Sequence, residues 1–347
     1  MYKEKKYPHK PKNKRFQELD AIRGLAAIFV VLYHYTYQYY ISFPNEYKFP
    51  FSFEFGHYGV QAFFIVSGFV IFMTLEKTKK SLDFIIYRSI RLFPTYWISV
   101  LITFIIVSIF SLPGKETTIL EFLANLTMIH TQFKIKGVDG VYWTLLYELK
   151  FYFLMLILYH FKHLKKIDII SIIILSLIIV ISLLGFDHNT FYKIIYQVLL
   201  LPYLGYFISG IMFYKIYTKK ENYMTYIALT LALIVSIVID PNKEIYIILF
   251  IYMLFLLLAF HKLTFITIKP LVFLGTISYA LYLIHQYIGY IILNYAQTYH
   301  ISLLIATPIA IIISMILAII ITFIFEKNII LYLKNYYQQY QDRKNNA

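Results

Sequence analysis

The chain has 347 residues, 60% of them hydrophobic, a formal net charge of +14 and no cysteine. Soluble domains run nearer half apolar, and a mean hydropathy of +0.67 places this chain among membrane proteins. Without cysteine, disulfides, thiol catalysis and thiolate-bound metals are excluded. The positive charge does not point to nucleic acid, because it gathers in loops that would lie on one side of a membrane.

Residues 1–18 hold Lys3, Lys5, Lys6, Lys10, Lys12, Lys14 and Arg15. They read as a basic tail able to lie on anionic headgroups. Apolar stretches long enough to span a bilayer follow at 20–41, 57–75, 92–112, 143–161, 167–184, 192–217, 223–239, 244–261, 270–294 and 302–325. The expected fold class is all-α, a polytopic membrane protein with about ten transmembrane helices. The expected layout is the tail at 1–18, a membrane domain at 19–327 and a C-terminal tail at 328–347. The first span lacks a short apolar core followed by a cleavage site, so it reads as retained. Pro202 and Gly205 predict a kink in the sixth span. Residues 117–131 suit a short surface or re-entrant helix, and no internal repeat is evident.

Ten spans put both termini on one side. The tails and loops on that side carry 25 Lys and Arg residues, against 6 in the opposite loops. The positive-inside rule makes the termini cytoplasmic. Most of the 35 tyrosines fall near span ends, where an amphipathic ring belongs, and are given no catalytic part.

Ionisable groups within spans are costly and default to functional candidates. Here they are Arg23, His34, Glu148, Lys150, His285 and Glu326. Eleven residues separate Arg23 from His34. On a helix that spacing puts both on one face, roughly 16 Å apart along the axis. A neutral imidazole can act as a base. A histidine bonding across helices would be the plainer reading. Arg88 and Arg91 share a face of a juxtamembrane helix running from about Ser81 to Phe93, ahead of Pro94. The chain has 27 Lys and 5 Arg, and Arg23, Arg88 and Arg91 sit at the cytoplasmic boundary. Arginine offers phosphate a planar fork that lysine lacks, so these three are a candidate polyphosphate clamp.

Glu148 needs a partner: a histidine, Lys150 or a substrate hydroxyl. It is about 200° from Lys150 on the helix, which is poor geometry for a direct pair. Glu148 is therefore a candidate to orient His34 or His285, or to bind the acceptor. Ser67 and Gly68 suit close helix packing. In the ninth span, Ser278, Tyr282 and His285 fall on one polar face, which should look into a cavity or the bundle interior.

Six elements resemble the integral-membrane acyltransferase-three family of bacterial O-antigen and polysaccharide O-acetyltransferases. The first span has its Leu-Asp-x-x-Arg start and Arg-x10-His signature as Leu19, Asp20, Arg23 and His34. Residues 63–69 are similar to its Phe-Phe-x-x-Ser-Gly-Phe element. Arg88 and Arg91 resemble its Arg-x-x-Arg motif, and 143–148 its Trp-Ser-Leu-x-x-Glu element. Residues 278–285 are similar to its Ser-Tyr-x-x-Tyr-Leu-x-His motif, and Glu326-Lys327 to its closing acidic-basic pair.

The resemblance implies transfer of an acyl group, usually acetyl, from cytoplasmic acyl-coenzyme A (acetyl-CoA) to a sugar hydroxyl of a surface glycan or lipid-linked sugar such as lipopolysaccharide. It implies a bacterial cytoplasmic (inner) membrane location, contact with membrane lipids, no metal and no nucleic acid. The expected catalytic residues are His34, Glu148 and His285. Arg23, Arg88 and Arg91 are expected to hold the coenzyme, and Trp143, Tyr282 and Ser278 the acceptor. His34 would deprotonate the acceptor hydroxyl or first take the acyl group itself. Gln61 stands where the family often has Asp. The extracytoplasmic esterase-like domain of some members is missing, which favours direct transfer within the membrane domain. The competing expectation is a secondary transporter or flippase using intramembrane His and Glu. A non-catalytic scaffold would leave Arg23, His34, Glu148 and His285 unexplained.

Overall fold

The computed structural model describes residues 16–43, 49–184, 201–239 and 244–346. The basic tail up to Arg15 and the start of the predicted sixth span lie outside them. Among the described residues there is no strand, in line with the all-α expectation. Helices α1 (Gln17–Tyr33), α2 (Gly59–Lys77), α3 (Ser81–Phe110), α4 (Ile119–Asn125), α5 (Trp143–His160), α6 (Ile167–Leu183), α7 (Leu201–Tyr217), α8 (Tyr223–Ile239), α9 (Ile245–Ala259), α10 (Lys269–Thr298), α11 (Leu303–Ile320) and α12 (Lys327–Asn346) follow in order. Among the described residues seven helical stretches are long and apolar enough to cross a membrane. The predicted seventh and eighth spans appear as the shorter α8 and α9, and the described part of the sixth as α7. Large aliphatic side chains such as Ile109, Ile173, Leu177, Ile312 and Ile316 are exposed on the outside, the surface that lipid covers.

The centre is α1 laid along α10, with α2 beside it and α3 and α11 packed on α10. Glycine makes the central crossing possible. A Cβ at Gly24 would press on the Leu271 carbonyl and the Gly275 nitrogen, and one at Gly275 would run into the Asp20 carbonyl. Small residues let helix backbones approach this closely in a membrane. On the other flank, Gly68 and Gly210 bring α2 against α7 in the same way, matching the packing role expected for Gly68. Gly205 is likewise a contact point, against Ser236 and the Ala232 carbonyl of α8. The expected kink at Pro202 falls at the edge of the described residues. A buried ion pair of Lys215 with Asp168, which also accepts from Thr225 Oγ1 at 3.1 Å, ties α6, α7 and α8 together.

Two sequence expectations need correction. The predicted juxtamembrane helix and the third span are one 30-residue helix, α3, with Pro94 inside it. Proline removes one backbone donor, and a membrane helix tolerates that when neighbours help satisfy the backbone. The carbonyl that loses its donor is that of Ile90; close by, the Tyr279 hydroxyl donates to the Leu92 carbonyl at 3.2 Å. The first span is also not uniformly α-helical. A π turn covers His34–Gln38 before the helix resumes at Tyr39–Ser42. A second π turn, Ile321–Glu326, joins α11 to α12. Single π turns are rare and concentrate at functional sites, and these two contain His34 and Glu326.

The loop between α3 and α5 carries the short helix expected there, α4, opened by a Thr118/Glu121 capping box. Asn125 is fully buried. Its amide donates to the Glu121 and Lys136 carbonyls, and its Oδ1 accepts from Val138 N. His130, also in this loop and 3% exposed, is held down at about 4 by burial. The unfolded loop takes up a proton near the ordinary value of about 6.5, while the folded loop takes it up near 4. Stability from this group is therefore complete above pH 6.5 and falls as pH drops through that window. Limited proteolysis of the loop should accelerate between pH 7 and pH 4.5, and His130→Gln should flatten that dependence.

Candidate active site

Two cavities lie along α1. The first, about 160 Å³, is lined by Arg23 of α1, Arg88 and Arg91 of α3, Glu148 and Tyr152 of α5, and Ser278 and Tyr279 of α10. The three arginines predicted to cluster therefore do converge, from α1 and α3, which both pack on α10. Each arrives with a protein partner. Arg91 is ion-paired with Glu326 and lies 5.9 Å from the Tyr279 ring centre. Arg88 Nη2 donates to Thr74 Oγ1 at 2.5 Å, and the guanidinium lies 5.7 Å from the Tyr152 ring. Arg23 is 4.0 Å from Asp20, one turn below it.

Pairing of this kind lets cations share one partly buried space. The bidentate edges of three guanidinium groups still suit a phosphate-bearing ligand. Lys334, half-buried on α12, lies within electrostatic reach of Arg91 and Arg88. It adds a fourth cation that the sequence did not reveal. Tyr337 Oη and Gln341 Nε2 donate to Asp83 Oδ1 at 2.8 and 2.6 Å, holding α12 on the start of α3.

The second cavity, about 540 Å³, lies on the far side of Tyr282 and Val60, which line both spaces. His34, Trp143, Gln61, Gln286 and Tyr203 line it, with Glu54 and His57. Trp143 lines the same cavity as His34, with its ring 5.7 Å from that of Tyr203. Tyr282 sits in the dividing wall. Its hydroxyl is 2.9 Å from Thr144 Oγ1, and its ring packs edge-on to Phe63 at 5.6 Å. Ser278 is fully buried and donates to the Gly275 carbonyl within its own helix. It lines the arginine cavity rather than the His34 cavity.

The two histidines form one unit. His285 Nε2 lies 2.9 Å from His34 Nδ1. His285 Nδ1 is 3.0 and 2.9 Å from the Leu281 and Tyr282 carbonyls. Carbonyl oxygens only accept, so in the neutral ring Nδ1 of His285 carries the proton and Nε2 accepts. His34 Nδ1 faces that acceptor and the Val30 carbonyl at 2.9 Å, so Nδ1 of His34 carries its proton too. The lone pair of His34 is thereby placed on Nε2. His34 becomes a base with a defined tautomer, oriented by His285. Tyr35 braces the pair, donating to the His285 carbonyl at 2.7 Å with its hydroxyl 2.8 Å from Ser314 Oγ. Its ring occupies the space left by the missing side chain of Gly289.

Glu148 is not the partner of either histidine. Its Oε1 accepts from Ser67 Oγ at 3.0 Å and from Tyr152 Oη, inside the arginine cavity. The residue is turned toward α2 and the cations, a direction that its position along α5 does not specify. Ser67 is thus a hydrogen-bond donor to Glu148 as well as a packing residue. No ion pair joins Glu148 to Lys150 among the described residues; the Lys150 ammonium lies 5.9 Å from the Tyr147 ring.

If His285 acts by orienting His34, His285→Leu should lower kcat by about two orders of magnitude with KM for both substrates nearly unchanged. His285→Gln, whose amide oxygen can accept from His34 Nδ1, should restore part of the loss. Equal losses in the two variants would show that acceptance at this position is not what matters.

A family model described as an acyltransferase domain matches residues 16–327. No curated protein and no solved structure matches the chain. The family match covers every lining residue of both cavities, and on it the chain belongs to the acyltransferase-3 family and is a membrane acyltransferase.

Proposed function

We propose that the protein moves an acyl group, acetyl in the first instance, from acyl-coenzyme A on the cytoplasmic side to a sugar hydroxyl on the outer side of a bacterial cytoplasmic membrane. The observation that carries this reading is the pair of adjoining cavities, one faced by three arginines and the other by His34, divided by Tyr282 and Val60. The charge bias of the loops gives the arginine cavity a cytoplasmic aspect. Arg23, Arg88 and Arg91, with Lys334 nearby, hold the phosphates of the donor. The pantetheine arm follows α1 and brings the thioester to the wall.

In the chemical step His34 Nε2 takes the proton of the acceptor hydroxyl as that oxygen attacks the thioester carbonyl. The C–O bond forms, and the C–S bond breaks. The departing thiolate recovers the proton from the imidazolium. His285 accepts from His34 Nδ1–H throughout and so stabilises the positive ring. Trp143 offers a flat face to the sugar. Glu148, with Ser67 and Tyr152, sits among the cations and balances their charge in the donor cavity.

The test uses purified protein and radiolabelled acetyl-coenzyme A. His34→Ala should abolish transfer while coenzyme A binding persists; retained transfer would remove His34 from the chemistry. Arg88→Lys with Arg91→Lys should raise the donor KM about tenfold or more, because each exchange gives up a bidentate contact. An unchanged donor affinity would reject the clamp. Comparing surface glycans with and without the gene by mass spectrometry would identify the acceptor.

A further inference from the structure

The His34 cavity contains two buried amides that the chemistry above does not use. Gln61 of α2 is 6% exposed and Gln286 of α10 is 8% exposed. Both line the cavity. The amide oxygen of each is buried and has no hydrogen-bond partner among the described residues. Gln286 is held in place by its own amide nitrogen, which donates to Tyr290 Oη at 3.2 Å. The backbone of Gly140 closes on its oxygen, since a Cβ there would meet Gln286 Oε1. Buried carbonyl oxygens are almost always paired. Two unpaired ones, on residues that line the cavity holding a catalytic base, are available to donors on a ligand that enters it.

The charge of the cavity narrows the ligand further. No lysine or arginine is among its described lining residues, and its single carboxylate, Glu54, is exposed at the rim. An acceptor bearing a carboxylate or phosphate would find no lysine or arginine among those residues to offset its desolvation. A ligand with several neutral O–H groups fits better. Each amide oxygen accepts from one hydroxyl, and the Trp143–Tyr203 aromatic pair covers the apolar face of the ring.

We infer that Gln61 and Gln286 form the acceptor-recognition pair of this enzyme, and that they select an uncharged polyhydroxylated sugar ring. The inference rests on the acyltransferase reading above and sharpens its acceptor class. The two residues position the ring through its non-reacting hydroxyls so that one remaining hydroxyl faces His34 Nε2.

The experiment measures acetyl transfer from radiolabelled acetyl-coenzyme A by the full chain in lipid nanodiscs. Methyl glucoside, methyl glucuronide and methyl glucosaminide are the competing acceptors. The neutral glucoside should be preferred over both charged analogues by about tenfold or more in kcat/KM, the scale set by an unpaired polar group in a binding site. Gln61→Leu and Gln286→Leu should each lower kcat/KM for the glucoside about tenfold, with coenzyme A binding checked by calorimetry as a measure of folding. Gln61→Glu should shift preference toward the ammonium-bearing glucosaminide, a gain that misfolding cannot mimic.

The inference is overturned if the glucuronide is used as well as the glucoside, if no glucoside is acetylated above thioester hydrolysis, or if the leucine variants keep the parent's acceptor kcat/KM. Absence of any His34-dependent consumption of acetyl-coenzyme A would instead reject the donor assignment made under Proposed function.

Discussion

The bare-backbone contact between Gly24 and Gly275 is the constraint on which the site depends. It fixes how closely α1 and α10 approach and where along each helix they meet. His34 lies ten residues beyond Gly24, and His285 lies ten residues beyond Gly275. The two helices run in the same direction, as the later contacts of Tyr35 with His285 and Tyr39 with Asn294 require. Equal rise from a shared crossing point carries the two imidazoles to one height, roughly 15 Å away. The histidine pair is thus a consequence of helix packing some three turns distant. A side chain at either glycine would act on the chemistry without touching it.

Above and below that pair the molecule separates two kinds of electrostatics. The arginine cavity is dense in charge, and its cations are held by Glu326, Asp20, Thr74 and aromatic faces. Such an arrangement keeps the cluster folded before any anion binds, and leaves guanidinium edges for one. Among the described residues the His34 cavity has no lysine or arginine and is lined with amides, phenols and an indole, with Glu54 and His57. On the proposed reading one space takes a polyanionic donor and the other a neutral, hydroxyl-rich acceptor. Glu326 and His34 both occupy π turns, where the extra residue per turn alters side-chain direction relative to an α-helix.

Much of this was legible in the sequence because helical periodicity is local. The Arg23 to His34 spacing, the Arg88 and Arg91 pair, and the face formed by Ser278, Tyr282 and His285 all depend on residues within three turns of each other. The structure keeps Arg88 and Arg91 in one cavity, while Arg23 and Ser278 line that cavity and His34 the other. Which neighbour a face meets is not local. The sequence points Glu148 at His34, His285 or the acceptor, and the structure turns it toward Ser67, Tyr152 and the arginines instead. The Arg91–Glu326 pair spans 235 residues. Lys334 falls in the stretch expected to be a C-terminal tail, and no local spacing ties Gln286 to the His34 cavity that it lines. Pro94 suggested a boundary because, in water, proline usually ends a helix. Inside a membrane bundle α3 continues through it, since unwinding would expose more backbone than the single donor already lost.

The wall formed by Tyr282 and Val60 has an energetic consequence for transport. Being lined from both sides, it is about one side chain thick. Moving a phosphate-rich donor across a bilayer would strip water from several charges, each at a cost of many kcal/mol. A wall this thin removes the need. On the proposed reading the donor's phosphates stay hydrated and paired with arginine on their own side while only a few uncharged atoms at its tip reach the other. The enzyme would then export a modification without exporting its carrier, and the membrane's barrier to charge would be left intact during turnover.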